Sequence, residues 1–296
     1  MVLFARCTSK QSSMILVIAV YLVAGGAAVI TGHLIEGWHP VTTAAAGCLA
    51  ATLIIYLFSQ VLGNSSFFDP YWSVAPLGVA AYWLMVSPPG SSLARQITVA
   101  LLVGIWALRL TCNWAIHWRH RFHEDWRYTS LRHRSGTWFW LVNLAGIQLF
   151  PAVIVFLACL PLYPALTSGG EPPGWLDFLA LAVTAGALFI ESVADVQLGK
   201  FRRSAGPVAN MDSGLWAYSR HPNYLGEVIF WWGIYMFGLA ASPYFWWTVI
   251  GPVSVTLLFL FISIPMMEKR NLSKRPGYRE YQKKVPALMP RLFGRA

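Results

Sequence analysis

The chain contains eight apolar runs, each long enough to cross the hydrocarbon layer of a membrane. A layer roughly 30 Å thick requires about 20 such residues in a helix. Of the 296 residues, 56% are hydrophobic and 11% are charged, which is too apolar for a water-soluble globule. We therefore expect an all-α, polytopic transmembrane helix bundle of about eight spans, in a single integral membrane domain comprising residues 1–296. The expected spans are 12–32, 44–62, 67–86, 93–116, 138–161, 176–198, 223–241 and 244–267.

The positions of lysine and arginine give the orientation of these spans. Loops rich in the two residues stay in the cytoplasm. With eight spans and a cytoplasmic amino terminus, all but two of the 22 Lys and Arg residues fall on one side. The exceptions are Arg95, on the other side, and Arg109, within a span. Both termini are therefore expected in the cytoplasm, and the net charge of +10 reflects topology and not a nucleic acid partner.

Five charged residues lie within or at the ends of the expected spans. An intramembrane charge costs about 2.5–3.5 kcal/mol on insertion scales, so it usually has a partner, a wet cavity or a function. Because successive spans alternate in direction, Asp69, Arg109, Asp195 and Glu227 all fall toward the cytoplasm. We expect them to converge on one polar cavity open to that side. Glu191 and Asp195 share a helical face and require cations or donors opposite them.

The seventh span carries polar side chains in its first two turns. These are Arg220, His221, Asn223, Tyr224 and Glu227. Asn223 and Glu227 share a helical face, with Tyr224 beside it. A helix amino terminus favours anions such as phosphate, so a cofactor with phosphate and amide groups would fit there. Helix packing is the alternative for any one residue, but five polar groups in eight residues exceed what packing requires.

Two other segments combine polar groups with the ends of spans. Asp69 is either the N-cap of the third span or a carboxyl at the cavity wall, where burial would raise its pKa and Tyr71 would offer a second donor. The loop from His117 to Arg134 is either a surface for lipid headgroups or, through Glu124-Asp125 and Arg127-Tyr128, a lid over a cofactor.

The carboxy-terminal tail alternates basic residues with tyrosines. It is either a solvated segment at the membrane surface or a set of phosphate ligands that includes Arg270 and Tyr278, since arginine makes bidentate contacts with phosphate. No metal site is expected. The four cysteines are isolated. The loop histidines His117, His120 and His123 lack an acidic ligand within their turns, and the arginines between them would repel a cation.

Three stretches, "GLWAYSRHPNYLGE", "MEKR" and "RPGYREYQKKVPALMP", carry a resemblance to known proteins. They resemble the superfamily of steroid 5α-reductases and isoprenylcysteine carboxyl methyltransferases, and the whole chain is similar to its bacterial branch, the DUF1295 family. The match covers 185–291 well and the amino-terminal half loosely. Reductases of the superfamily use NADPH and the methyltransferases use S-adenosylmethionine, and the fold alone does not choose between the two.

Individual positions of the resemblance favour reduction. Asn223 and Glu227 match residues with which 5α-reductases bind NADPH, and Asp195 matches a reductase aspartate that contacts the same cofactor. Asp69 falls where reductases have the glutamate that binds the substrate ketone. The tyrosine that joins this glutamate is replaced here by Trp106, so another proton donor such as Tyr71 is needed.

The resemblance thus implies an NADPH-dependent reductase of a lipophilic, steroid- or isoprenoid-like enone, with Asp69 and Tyr71 as catalytic residues. The alternatives are an S-adenosylmethionine-dependent methyltransferase of a lipidic substrate and a non-catalytic lipid-binding protein. The expected partners are a lipophilic small molecule and membrane lipids, in a bacterial inner membrane with the cofactor site facing the cytoplasm. The residues expected to bind the cofactor are Arg109, Asp195, Arg203, Arg220, His221, Asn223, Tyr224, Glu227, Arg270 and Tyr278.

Overall fold

The computed structural model describes residues 9–168, 170–204 and 209–290, and these form helices joined by turns. The two chain termini, expected in the cytoplasm, lie outside the described residues. The α-helices are α1 (Lys10–Leu34), α2 (Pro40–Leu62), α3 (Tyr71–Met85), α4 (Leu93–His117), α5 (Trp126–Ser135), α6 (Phe139–Val142), α7 (Phe150–Cys159), α8 (Leu162–Thr167), α9 (Trp175–Ser204), α10 (Pro222–Ala241), α11 (Ile250–Leu258), α12 (Ile264–Lys274) and α13 (Tyr278–Lys284).

Seven helical stretches in the described ranges are long and apolar enough to cross a membrane, so the protein is an integral membrane protein. The predicted all-α, polytopic bundle is confirmed. The third predicted span, 67–86, differs in length, because α3 has 15 residues after a short 3₁₀ turn, Ser65–Phe68. The seven stretches are Lys10–Leu34, Pro40–Leu62, Leu93–His117, Trp126–Cys159, Trp175–Ser204, Pro222–Ala241 and Pro243–Lys274.

Two of these stretches contain a π-helical segment. One segment, Asn143–Leu149, leads into α7, and the other, Phe259–Ser263, leads into α12. Pro151 and Pro265 lie at the first turns of the helices that follow. Proline has no N–H to donate, and its ring clashes with the carbonyl four residues earlier, so a wider turn before it avoids that clash.

Helices α9 and α10 approach each other closely because glycine occupies the contact points on α10. A Cβ atom at Gly226 would overlap the side chain of Glu191, and one at Gly233 would overlap the hydroxyl of Thr184. Small residues at helix interfaces allow such close approach in membranes. The contact brings the first turns of α10 directly against Glu191.

The turn between α2 and α3 holds the central loop in place. Gly63 ends α2 with φ of 65°, a left-handed conformation that glycine adopts without strain. Beyond it, the N–H of Ser65 donates to Glu124 at 2.7 Å, and the N–H of Asp125 donates to the hydroxyl of Ser66 at 2.8 Å. These bonds fix the start of α5 next to the start of α3.

At the opposite end of the bundle, a buried ion pair joins α4 to α9. Arg95 Nε lies 2.6 Å from Asp177 Oδ1, and the N–H of Gly174 donates to the other carboxylate oxygen at 2.9 Å. A paired and hydrogen-bonded carboxylate satisfies the requirements for a buried charge. The two helices are thus tied where α4 begins, and their other ends meet at Arg109 and Asp195.

Candidate functional site

A cavity of about 600 Å³ opens at the end of the bundle where α3 and α10 begin and where α4 and α9 end. Asp69, Arg109, Asp195 and Glu227 all line it. The alternating directions of the spans predict this convergence, and the structure brings the four side chains together. The other polar residues of the lining are Ser66, Ser73, Asn113, His117, His123, Asp125, Arg127, Tyr128, Asn223, Tyr224 and Ser263.

Arg109 is the centre of the polar wall formed by α4, α9 and α10. Its guanidinium lies 2.5 Å from Glu191 Oε2, 2.5 Å from Asp195 Oδ2 and 3.4 Å from Glu227 Oε2. Asn113, one turn further along α4, donates to Asp195 at 2.6 Å. Arg109 is thus the cation that the shared face of Glu191 and Asp195 requires.

The carboxylates of this wall outnumber its cations. Among the described residues, Arg109 is the one cation within ion-pair distance of Glu191, Asp195 and Glu227. Glu191 has no exposed side-chain surface, and its Oε1 makes no hydrogen bond to a described residue. An ionised carboxylate in such surroundings is costly without a compensating charge. The wall therefore favours a proton or a cationic group of a ligand.

Glu227 is held by donors from two helices. The indole N–H of Trp106 on α4 lies 3.1 Å from both carboxylate oxygens, and that of Trp231 lies 3.0 Å from Oε1. Trp106 occupies the position at which the 5α-reductases of the resemblance have a tyrosine. Its indole is a donor only, so it fixes the carboxylate of Glu227 and supplies no proton to a substrate.

On the other wall, Tyr128 donates a hydrogen bond to Asp69 Oδ1 at 2.7 Å. Tyr128 is 8% exposed, and Asp69 lies in the turn before α3, outside the seven spanning stretches. Burial raises the pKa of the Asp69 carboxyl from 3.8 to about 6. Arg127, next to Tyr128, pairs with Asp125 at 2.8 Å. The wall thus combines an acid and a phenol in one hydrogen bond.

Asn223 and Tyr224 extend the polar wall into the first turn of α10. The side chain of Asn223 lines the cavity and makes no hydrogen bond to another described residue, so its amide is available to a ligand. The ring of Tyr224 stacks on His221 with a centroid distance of 5.2 Å. Tyr224 therefore separates the cavity from His221.

Arg220, His221 and Tyr278, expected at the cofactor, converge instead on Glu268 of α12. The carboxylate of Glu268 accepts from Arg220 Nε at 3.1 Å, from the Tyr278 hydroxyl at 2.8 Å and from Gln282, and it lies 2.7 Å from His221 Nε2. None of these residues lines the cavity. The cluster ties α13 to the start of α10, and the anion that these residues contact is Glu268 in place of the expected phosphate.

Three more of the expected residues lie outside the cavity lining. The hydroxyl of Tyr71 donates to the carbonyl of Cys48 at 3.3 Å, so it is directed toward α2 and not toward Asp69. Arg203 is exposed and donates to the carbonyl of Gly199 on its own helix at 3.2 Å. Arg270 places its guanidinium 4.1 Å from the ring centroid of Trp126, the residue beside Arg127. Arg270 therefore lies beside α5, the helix that contributes Arg127 and Tyr128 to the cavity lining.

Two residues that line the cavity, Tyr128 and Asn113, are not among the expected site residues. The central loop carried the signal for Tyr128, since one of its two interpretations was a lid containing Arg127 and Tyr128. The structure places both residues in the cavity lining together with Asp125. Asn113 had a weaker signal: it follows Arg109 by four residues and therefore shares its helical face. Within the described residues, no group of three or more His, Cys, Asp and Glu side chains is arranged to hold a metal ion.

The comparisons with known proteins identify the family but not its activity. The chain is 28% identical over 255 residues to an uncharacterized protein of the fission yeast Schizosaccharomyces pombe, a match that covers 78% of this chain and 74% of the relative. This fungal relative gives no support to the expected bacterial inner membrane. No solved structure matches the chain. The family described as "Protein of unknown function (DUF1295)" matches residues 55–285, which is most of the chain. The protein is therefore a member of the DUF1295 family.

Proposed function

We propose that this protein is a membrane-embedded reductase that uses NADPH to reduce the carbon–carbon double bond of a lipophilic enone. The main support is the arrangement of one cavity, in which the hydrogen-bonded pair of Asp69 and Tyr128 faces a wall of Arg109, Asn223 and Glu227. An acid–phenol pair suits a carbonyl oxygen that gains charge during a reaction. Membership of DUF1295 and the resemblance to 5α-reductases agree with this proposal.

The described residues fit the nicotinamide half of NADPH. A nicotinamide carboxamide has two N–H donors and one carbonyl acceptor, and the wall offers the carboxylates of Asp195 and Glu227 together with the unpartnered amide of Asn223. The excess of carboxylate suits the oxidised nicotinamide ring, which carries a positive charge. The arginine available to the phosphates of NADPH differs from the sequence prediction. Arg220 is paired with Glu268, whereas Arg127 lines the cavity.

When bound, NADPH would supply a hydride to the β-carbon of the enone. Asp69 and Tyr128 would hold the carbonyl oxygen and stabilise the enolate that hydride addition creates. A proton shared by the pair would then be transferred to the α-carbon by way of the oxygen or a bound water, and solvent would restore it. The sum is one hydride and one proton added to the double bond. The apolar side of the cavity, which includes Trp72, Val155 and Leu258, would exclude bulk water from the reacting carbons.

The orientation of the cavity supports the choice of a soluble cofactor. It opens at the end of the bundle that carries the basic loops, and the positive-inside rule assigns such loops to the cytoplasm. A charged nucleotide would then reach the cavity from water, while the substrate reaches it from the membrane.

Binding of NADPH to the purified protein in lipid nanodiscs tests the proposal directly. We expect saturable binding, followed through nicotinamide fluorescence, that is weakened by Asn223→Ala and by Glu227→Gln. Glu280→Gln is the matched control, because Glu280 is 63% exposed on α13 and remote from the lining. Absence of saturable binding, or equal affinity for NADPH in the unmodified protein and the three variants, would overturn the proposal.

The excess of carboxylates also favours a second candidate, a methyltransferase of a lipidic substrate. The sulfonium of S-adenosylmethionine is a cation, and Asp195 and Glu227 offer two carboxylates to a single guanidinium at the lining. Thermal stabilisation by S-adenosylhomocysteine but not by NADP⁺ would select this candidate. The opposite result would select the reductase.

A further inference from the structure

Part of the cavity wall is also exposed on the outside of the bundle. Phe150, Ile262 and Met266 line the cavity and are 43%, 40% and 36% exposed, respectively. In a membrane-spanning bundle, large apolar side chains of this kind face lipid. These three side chains therefore belong both to the cavity lining and to the exposed surface of the bundle.

Helices α7 and α11 are in close contact at one end, and the exposed lining residues lie beyond the other end of this contact. A Cβ atom at Gly251 on α11 would overlap the carbonyl oxygen of Leu157 on α7, so the two helices touch there. Further along, Val155 and Val255 are 4% and 3% exposed and both line the cavity. Phe150 on α7 and Ile262 beyond the end of α11 lie further in the same direction, and both are exposed.

The two stretches that carry these exposed lining residues each adjoin or contain a π-helical segment. Gly146 and Ile147 belong to Asn143–Leu149 in one stretch, and Phe259 and Ile262 belong to Phe259–Ser263 in the other. Gly146 lines the cavity, and nothing lies within 4 Å of the position that its Cβ atom would take. π-Helical segments are rare in proteins, but those that do occur are frequently found at functional sites. Open space therefore adjoins the first of these segments where it lines the cavity.

We propose that the cavity opens laterally between 146–150 and 259–266, and that this lateral portal binds the hydrocarbon chain of a lipid substrate. The chain extends from the cavity into the bilayer, and the polar head of the same molecule lies inside. The portal follows from the geometry alone. The identity of the head as an enone rests on the function proposed above.

The size of the cavity supports a substrate with a long chain over a compact one. A pocket for one drug-sized ligand has a volume of roughly 300–1,000 Å³. This cavity, at about 600 Å³, has to hold the cofactor's reacting end and the reacting end of the substrate together. A substrate whose chain remains in the portal meets that limit. The structure thus favours a reactive group near one end of an isoprenoid or acyl chain.

Access to a buried thiol tests the portal without any cofactor or enzymatic activity. In a variant whose four cysteines are replaced by alanine, Val155→Cys places one thiol on the cavity wall. In nanodiscs, we expect this thiol to react with N-(1-pyrenyl)maleimide, which partitions into the bilayer. Adding Gly146→Trp narrows the opening and should slow the reaction several-fold, and Ile262→Trp should act in the same way.

Gly26→Trp is the matched control for Gly146→Trp. Gly26 lies on α1, has the same free space around its Cβ position and does not line the cavity. Equal labelling rates in the Gly146→Trp, Ile262→Trp and Gly26→Trp proteins would overturn the portal. Labelling of the introduced thiol by a sulfonated, bilayer-impermeant maleimide but not by the pyrenyl reagent would do the same.

A second measurement separates the portal from the proposed function. With enones that share one head and carry chains of increasing length, KM should fall as the chain lengthens, and Gly146→Trp should remove that dependence. If the thiol measurement supports the portal and no enone is reduced, the proposed reaction is wrong and the portal stands. If enones are reduced with a KM independent of chain length, the portal is wrong and the reaction stands.

Discussion

Tyr128 donates a hydrogen bond of 2.7 Å to Asp69, although 59 positions separate the two residues in the chain. The bond joins the first turn of α5 to the turn before α3, and the contacts of Ser65 and Ser66 with Glu124 and Asp125 hold the two elements together. The resemblance to 5α-reductases predicts an acid that works with a tyrosine. In this chain, the phenol comes from a different helix.

Tyr128→Phe should abolish most of the proposed turnover and leave NADPH binding unchanged. The substitution removes the phenol that shares a proton with Asp69, and loss of a general acid typically reduces a rate about 10²–10⁴-fold. Tyr235→Phe is the control, because Tyr235 also uses its hydroxyl in a single bond, to the carbonyl of Trp246, but lies outside the cavity lining. Full activity of Tyr128→Phe on a substrate of the unmodified protein would contradict the role of Tyr128.

Asp69 should make the stability of the protein depend on pH. Its pKa rises from 3.8 to about 6 on folding, so between these values the folded state binds a proton that the unfolded state has released. The free energy of unfolding therefore decreases as the pH rises through this window, by at most about 3 kcal/mol. Thermal unfolding of the protein and of Asp69→Asn, compared between pH 4 and pH 6.5 in detergent, measures the effect. A difference between the two proteins that does not change with pH would contradict it.

Arg109→Met should destabilise the bundle, because it leaves three carboxylates without their cation. Breaking a buried ion pair by removing one partner costs about 3–5 kcal/mol. Adding Glu191→Gln should restore part of the loss, since Glu191 is fully buried and is paired through Arg109. Arg203→Met on the exposed face of α9 is the control and should shift the unfolding temperature little. Equal shifts for Arg109→Met and Arg203→Met would contradict the arrangement.

The alternation of the spans allowed the positions of Asp69, Arg109, Asp195 and Glu227 to be predicted. Each residue lies near the end of a long apolar run, and antiparallel neighbours place those ends at one level. The predicted fifth span, 138–161, agrees with α6, the π-helical segment Asn143–Leu149 and α7. The helix before it, α5, was not predicted, because its residues are mostly polar and a search for apolar runs does not recognise them.

The positions of Arg220 and Tyr278 could not be predicted from spacing. Both lie near other basic residues, so the sequence suggests an anionic ligand, and the nearest anion is a carboxylate of the protein itself. Glu268 follows Arg220 by 48 positions and is brought beside it by the packing of α12 against the start of α10. Local patterns specify a helix and its apolar face but not which charges of distant helices will pair.

Glu268→Gln should loosen α13 without a direct effect on the cavity. Arg220, His221, Tyr278 and Gln282 all contact the Glu268 carboxylate, so its neutral replacement weakens charge-assisted bonds to each of them. We expect faster hydrogen exchange in residues 278–288, measured by mass spectrometry, and the same result for Arg220→Ala. The affinity for NADPH distinguishes the structural role of Arg220 at Glu268 from its expected role as a phosphate ligand. If Arg220→Ala weakens NADPH binding and Glu268→Gln does not, Arg220 is a phosphate ligand after all.

Gly226→Ala should destabilise the protein more than a glycine substitution elsewhere in the bundle. The added methyl group would overlap the side chain of Glu191, which cannot move away without disturbing its contact with Arg109. Gly104→Ala on α4 is the control, because nothing lies within 4 Å of its Cβ position and alanine is the better helix former by about 1 kcal/mol. Unfolding temperatures in detergent should therefore fall for Gly226→Ala and stay level or rise for Gly104→Ala.

Because the overlap displaces Glu191, Gly226→Ala should also weaken NADPH binding. Gly233→Ala, whose methyl group meets Thr184 further from the cavity, should reduce stability alone. Equal affinities for NADPH in the two glycine variants of α10 would show that the wall around Arg109 tolerates a shift of Glu191.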